Sequence, residues 1–143
     1  MINRKIEAIL FDFDGTIADT SEDMVGCLNI LLKNHSKEDV DIRKAKNFIS
    51  KGAAGLINFA FPKIPDEEKK LYISEYLDIY KNNLYIKTKL FSGIEELILS
   101  IIKKQYKWGI VTNKPSYLVN PIIEKINFTY SPNCLVAGDT LSV

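Results

Sequence analysis

Two carboxylates at alternate positions, Asp12 and Asp14, stand directly behind an apolar run and directly before Gly15-Thr16. A carboxylate can attack phosphorus as a nucleophile and carry the phosphoryl group. A second carboxyl two residues on can protonate the leaving oxygen, and afterwards take a proton from the attacking water. A turn at Gly15 would leave the backbone N–H groups of Gly15 and Thr16 unpaired and pointing outward, which favours an anion. Carboxylates repel phosphate, and a hard divalent cation removes the contradiction. Mg²⁺ bound through one or two carboxylates plus substrate phosphate suits Asp12 and Asp14 as metal residues.

These groups act together only if neighbouring strands deliver them to one edge. Ile9-Leu10-Phe11 lies in a continuous apolar run that reads as a strand buried on both faces. Residues 108–111 read as a second buried strand, with Thr112 and Asn113 at its carboxyl end. Cys134-Leu135-Val136-Ala137 reads as a third, ending at Gly138-Asp139. Ligands of parallel α/β sheets sit beyond the carboxyl ends of the strands, so Thr112 meets Asp12 in one crevice. The Thr112 hydroxyl and the Asn113 backbone N–H can hold phosphoryl oxygens there, reinforced by a helix N-terminus near Pro115. Whether Lys114 adds positive charge is left open.

Between the first two strands lie about four helical periods. Thr20 and Ser21 are candidate caps, with Asp23 in capping-box spacing, ahead of Val25, Leu28, Leu31 and Leu32. Asp41 is a candidate cap for Ile42, Ala45 and Ile49. A short helix follows over 53–61, and Pro65-Asp66-Glu67-Glu68 opens a helix carrying Tyr72, Tyr76 and Tyr80 as a packing stripe. After the chain returns near 87–91, Ser92 and Glu95 form a capping box before a face of Ile94, Leu97, Ile98 and Ile101. Gln105 stands where a C-terminal glycine would be expected. Pro121 either kinks a helix or marks its first turn with Asn120 as the cap.

At 143 residues, with 46% hydrophobic and 26% charged residues and a net charge of +1, the chain suits a globular domain. The charge gives no argument for nucleic acid or membrane binding, and no apolar run approaches the ~20 residues that span a bilayer. Cys27 and Cys134 match no ligand spacing and read as buried thiols of a cytoplasmic protein. His35, at a helix end, reads as a solvated cation rather than a base.

Asp12-Phe13-Asp14-Gly15-Thr16 resembles the first motif of the haloacid dehalogenase-like hydrolase superfamily, and Trp108-Gly109-Ile110-Val111-Thr112-Asn113-Lys114-Pro115 its second. With Val136-Ala137-Gly138-Asp139-Thr140-Leu141 they are similar to the phosphoglycolate phosphatase group and relatives acting on sugar phosphates. The resemblance implies an α/β fold: a Rossmann-like core with a parallel sheet, about three strands of it here, and an all-helical cap inserted after the first strand. The core would take residues 1–19 and 87–143, and the cap 20–86. The implied function is a Mg²⁺-dependent phosphatase acting on a small phosphorylated metabolite by way of an aspartyl-phosphate. Asp12 and Asp14 would be catalytic and metal-binding, and Gly15, Thr16, Thr112 and Asn113 phosphate-binding.

Dehalogenation is disfavoured by Asp14, because a halide leaves without a proton. A phosphomutase, or a non-catalytic module that binds phosphate or a partner, stays open. The family pattern carries a Lys-Pro segment and an acidic fourth-strand motif further on. Asp139 does not match that motif, since position 143 is Val143, and it is kept out of the metal site. The expectation is therefore roughly the first two-thirds of such an enzyme, with little activity alone and self-association through the exposed edge of the first strand.

Overall fold

The computed structural model describes residues 6–140. The chain divides into two compact units, one of 1–18 with 90–143 and the other of 19–89. The first is α/β. Its strands β1 (Ala8–Phe11), β4 (Lys107–Val111) and β5 (Cys134–Val136) form a parallel sheet in the order β1-β4-β5. Phe11 lies opposite Ile110, and Val111 opposite Val136. Helix α5 (Ile94–Lys103) supplies the crossover into β4, and α6 (Ser116–Ile126) the crossover into β5.

The core of this unit is aromatic at its centre. Trp108 is fully buried, with Phe11 edge-on at 6.5 Å and Phe128 at 5.3 Å between ring centroids. Ile98 and Ile101 of α5 and Leu118, Val119 and Ile122 of α6 are buried as well. Truncating such a residue to alanine costs about 2–5 kcal/mol, because the site does not fully collapse around the gap. Leu97 was expected on this face, yet it is 43% exposed.

Strand β1 departs from its sequence reading. It was expected to be buried on both faces, but Ala8 is exposed and Leu10 is 56% exposed. Among the described residues β1 is an edge strand hydrogen-bonded to β4, and alternate side chains therefore face away from the core. Cys134, expected to be a buried thiol, is exposed on β5, while Cys27 is buried.

Several ends differ from local expectation. Gly93 in the left-handed conformation (φ 86°) precedes α5, and no Ser92 capping bond forms. Gln105 does take the left-handed place after α5, at φ 59°. Helix α6 begins at Ser116 and carries Pro121 inside, so Asn120 is not its cap. That proline removes one i→i−4 hydrogen bond from the helix interior.

In the second unit the regular elements between residues 20 and 88 are helices: α1 (Ser21–Asn34), α2 (Ile42–Ile49), α3 (Gly52–Ala60) and α4 (Asp66–Lys81). Asp41 caps α2, its carboxylate accepting from the Arg43 backbone N–H. The Arg43 side chain and then that N–H push the Asp41 carboxyl down to about 2. Leu28, Leu31, Leu56, Ile57, Tyr76 and Tyr80 are buried to 1% or less. The tyrosine stripe is packing: Tyr76 and Tyr80 stack, and the Tyr76 hydroxyl donates to the Met24 carbonyl at 3.1 Å. His35 is no free cation. It lies against Tyr72 and its Nε2 donates to the Glu75 carboxylate at 2.8 Å, which holds the Glu75 carboxyl below its usual range.

The expected capping box at α1 is absent. Thr20 makes no capping bond, and the Asp19 carboxylate accepts from the Ser21 backbone and hydroxyl instead. Asp23, 6% exposed, turns to the far end of the unit. Its carboxylate accepts from the backbone N–H groups of Ile86, Lys87 and Thr88 at 2.8–3.0 Å and from the Thr88 hydroxyl at 2.6 Å. The short strands β2 (Ala18–Asp19) and β3 (Lys89–Leu90), where the chain leaves and regains the sheet-bearing unit, pair as a two-stranded sheet.

Asp23→Ala strips the acceptor from three backbone donors at once, and each unsatisfied buried group costs about 1–3 kcal/mol. Urea unfolding of this variant is expected to lose about 3–5 kcal/mol, with amide protection lost first at Ile86, Lys87 and Thr88. An unchanged midpoint would contradict this assignment.

Candidate active site

The parallel register brings the candidate residues to one edge. Phe11 pairs with Ile110, so Asp12 and Thr112 both lie just past the carboxyl ends of adjacent strands. Thr112 is also tied to the third strand, its N–H donating to the Val136 carbonyl at 2.9 Å. Asp12 is exposed, with Oδ1 accepting from the Phe13 N–H at 2.7 Å. Asp14 is 5% exposed and its Oδ1 is 3.1 Å from Lys114 Nζ, itself 5% exposed. The two acids therefore differ sharply in environment: one faces solvent, the other is sealed in an ion pair. Removing one partner of a buried pair leaves an uncompensated charge, a loss of about 3–5 kcal/mol.

The turn between them is built from backbone bonds. The Phe13 carbonyl accepts from the N–H groups of Thr16, Ile17 and Ala18, and the Gly15 N–H donates to the Ala18 carbonyl at 2.9 Å. The expectation of unpaired Gly15 and Thr16 N–H groups is thus corrected. A tight turn at φ 80° consumes them internally, and Gly15 serves the conformation rather than an open anion nest.

The segment after β4 is fixed from several directions. The Lys114 N–H donates to Thr112 Oγ1 at 3.2 Å, and the Lys114 carbonyl accepts from the Gly138 N–H at 3.0 Å. A Cβ on Gly138 would fall 2.3 Å from the Asn113 carbonyl oxygen, so the two backbones are in direct contact there. Thr112 is buried and Asn113 exposed.

Asp139 has a function that short-range reading missed. Its carboxylate accepts from the Ser116 N–H and from the Ser116 hydroxyl, both at 2.8 Å, capping α6 from 23 residues away. These bonds, the backbone one first, hold the Asp139 carboxyl below the usual aspartate range. The N-terminus of α6, expected to serve phosphate, thus already holds a carboxylate of the chain's own. Leu141 of the third motif and Val143 lie outside the described residues.

Among the described residues no group of three or more His, Cys, Asp and Glu gathers into a metal cluster. The donor set at the strand ends is nonetheless of the hard oxygen kind. Mg²⁺ takes one or two carboxylates with substrate phosphate and keeps several waters, and the exposed Asp12 fits that demand. The Asp14 side chain is engaged by Lys114 at 3.1 Å.

The family described as haloacid dehalogenase-like hydrolase matches residues 9–142. The chain belongs to this family. It is 30% identical over 135 residues to a phosphoglycolate phosphatase from Xanthomonas campestris pv. campestris, covering 94% of this chain and 61% of that protein. It is also 30% identical over 140 residues to an N-acetylmuramic acid 6-phosphate phosphatase from Pseudomonas aeruginosa, covering 97% of this chain and 62% of that one. The chain thus spans 61–62% of the length of these curated relatives. The solved structure of a haloacid dehalogenase-like hydrolase from Bacteroides fragilis superposes with a TM-score of 0.86 at 19% identity, over 97% of this chain and 66% of that one. At that identity the likeness speaks for the Rossmann-like α/β fold alone.

Two outcomes are expected of this hydrolase-family site. A carboxyl held below its unfolded value contributes stability that is present above the unfolded pKa and lost as pH falls through the folded one. Ser116 amide protection should therefore survive below the ordinary aspartate range and then collapse, an acid step missing in Asp139→Asn; identical acid profiles would refute the cap. Gly138→Ala should cost about 1–3 kcal/mol by overpacking against Asn113, read from thermal unfolding, and an unperturbed Tm would show that the contact yields freely.

Proposed function

We propose that this chain serves a Mg²⁺-dependent phosphatase that hydrolyses a small phosphomonoester, phosphoglycolate or a sugar phosphate, through an aspartyl-phosphate at Asp12. The observation that carries this reading is the contrast between the two acids: an exposed Asp12 at the end of β1 and a buried, ion-paired Asp14 two residues on. Paired carboxylates in unlike surroundings take unlike parts in a reaction. The phosphatase relatives named above support the reaction class, and the phosphoesters their names give are the substrates to try first.

In this reading the Asp12 carboxylate attacks phosphorus, and the P–O bond to the substrate alcohol breaks. Asp14, in its protonated form, gives a proton to the departing oxygen. Asp14 then takes a proton from water, whose oxygen attacks the phosphoryl group, releasing inorganic phosphate and restoring the Asp12 carboxylate. The Thr112 hydroxyl and the Asn113 backbone, with the Thr16 hydroxyl, are the proposed contacts to phosphoryl oxygens. The Asp12 carboxylate and the Asp14 carbonyl would hold Mg²⁺, which supplies charge neutralisation at the phosphate. The helical unit over 19–89 is proposed as the substrate-selecting cap.

No helix among the described residues is long and apolar enough to cross a membrane. Neither Cys27 nor Cys134 is in a disulfide, in keeping with the cytoplasm as the proposed compartment. Self-association through the exposed edge of β1 is retained as a proposal, supported by the exposed Leu10.

Asp12→Asn keeps the size of the side chain and removes the nucleophile. In a version spanning the full length of the relatives, phosphate release from phosphoglycolate or a hexose phosphate is expected to fall at least ~10³-fold with the fold intact by circular dichroism. Near-normal turnover would end the aspartyl-phosphate reading, and isomerised sugar phosphate without phosphate release would point to a mutase.

A further inference from the structure

Lys114 takes no part in the chemistry proposed above, yet its ammonium is sealed within the site. Its side chain is 4% exposed, and the Asp14 side chain it meets at 3.1 Å is 6% exposed. Lysine heads ordinarily stay in water while the stem packs, so full burial of both ends demands an account. A buried ion pair is weak evidence for stability, since desolvation of two charges offsets their attraction. What such a pair supplies is position. The Lys114 backbone is fixed on both sides, by Thr112 Oγ1 and by the Gly138 N–H, so its stem starts from an anchored point. Asp14 itself enters a turn whose backbone bonds run from Phe13 to Ala18.

We propose that Lys114 is a positioning residue for Asp14. Its ammonium holds Asp14 Oδ1 and thereby fixes where the carboxyl that serves the leaving oxygen and the attacking water can lie. This inference rests on the phosphatase reading for its catalytic consequence, but the positioning itself is a property of the folded chain. Because Lys114 lies two residues past Thr112, one anchored segment sets both the phosphate-facing hydroxyl and the orientation of the acid. The demand on the acid grows with the basicity of the leaving oxygen, so the effect should depend on substrate.

The test uses Lys114→Met, Lys114→Arg, Asp14→Asn and the double variant Lys114→Met/Asp14→Asn. Side-chain NMR couplings should report one Asp14 χ1 rotamer in the wild type, averaging in Lys114→Met and recovery in Lys114→Arg. With an alkyl phosphate, kcat of Lys114→Met is expected to drop ~10–10²-fold with little change in KM, the scale of a misplaced catalytic group. With p-nitrophenyl phosphate, whose leaving group needs no proton, the drop should be several-fold smaller. In the Asp14→Asn background, Lys114→Met should add no further loss, and this neutral pair guards against a variant that fails to fold. A single unchanged Asp14 rotamer in Lys114→Met overturns the proposal. So does a loss of equal size in the Asp14→Asn background, or an effect on KM alone, which would make Lys114 a phosphate ligand. A version spanning the whole length of the phosphatase relatives that releases no phosphate from either substrate defeats the phosphatase reading instead, and the rotamer measurement then decides the positioning by itself.

Discussion

A carboxylate and an ammonium withdrawn from water together restrict each other, and the Asp14–Lys114 pair does this at the junction of two strands. Asp14 belongs to the turn that leaves β1, and Lys114 to the segment that leaves β4. Each would be costly to bury alone, so the pair forms only when β1 and β4 lie in their parallel register. The same segment then reaches the third strand through Gly138 and through Asp139 on Ser116. Residues 112–116 are thus a node to which every strand end of the sheet is bonded. Asp12, Gly15, Thr16, Asn113 and Asp139 face solvent around this node, while Asp14, Thr112 and Lys114 are buried.

Much of this was legible from short stretches of chain. The apolar runs marked the three strands and the 3.6-residue periods marked the helices, because both signals are local. Asp41 as a cap, Gln105 in the left-handed place and the tyrosine stripe as packing follow from neighbours within four residues. The misreadings share a different cause. Asp23 looked like half of a capping box, but its partners are 63 to 65 residues away. The capping part of Asp139, kept only out of the metal site by its sequence, escaped notice because Ser116 is 23 residues off. Burial of β1 was inferred from composition, whereas exposure depends on which neighbours flank a strand. Gly15 and Thr16 seemed to offer open N–H groups, because the turn type that consumes them is settled by backbone angles rather than residue identity. Family resemblance to the hydrolases carried the roles of Asp12 and Thr112 further than spacing alone could.

The capped N-terminus of α6 adds a constraint on anion binding. A helix start attracts negative charge through its unpaired N–H groups and its dipole. Here Asp139 supplies that charge internally, so an incoming phosphate meets a terminus already partly neutralised. With Lys114 already paired to Asp14, the proposed phosphate contacts near Thr112 and the proposed cation would have to supply the positive potential.

The clamp at Asp23 bears on how such a protein can be rearranged. One carboxylate in the first turn of α1 gathers the backbone of residues 86–88, so the entry and exit of the helical unit are stitched side by side. A segment whose two ends are already adjacent imposes almost no separation on the scaffold that receives it, and closing its loop adds little entropy cost. The helical unit is in this sense portable. It could be exchanged for another insert of different size between Ala18 and Leu90 while the sheet and its crevice keep their register, provided the replacement brings its own staple.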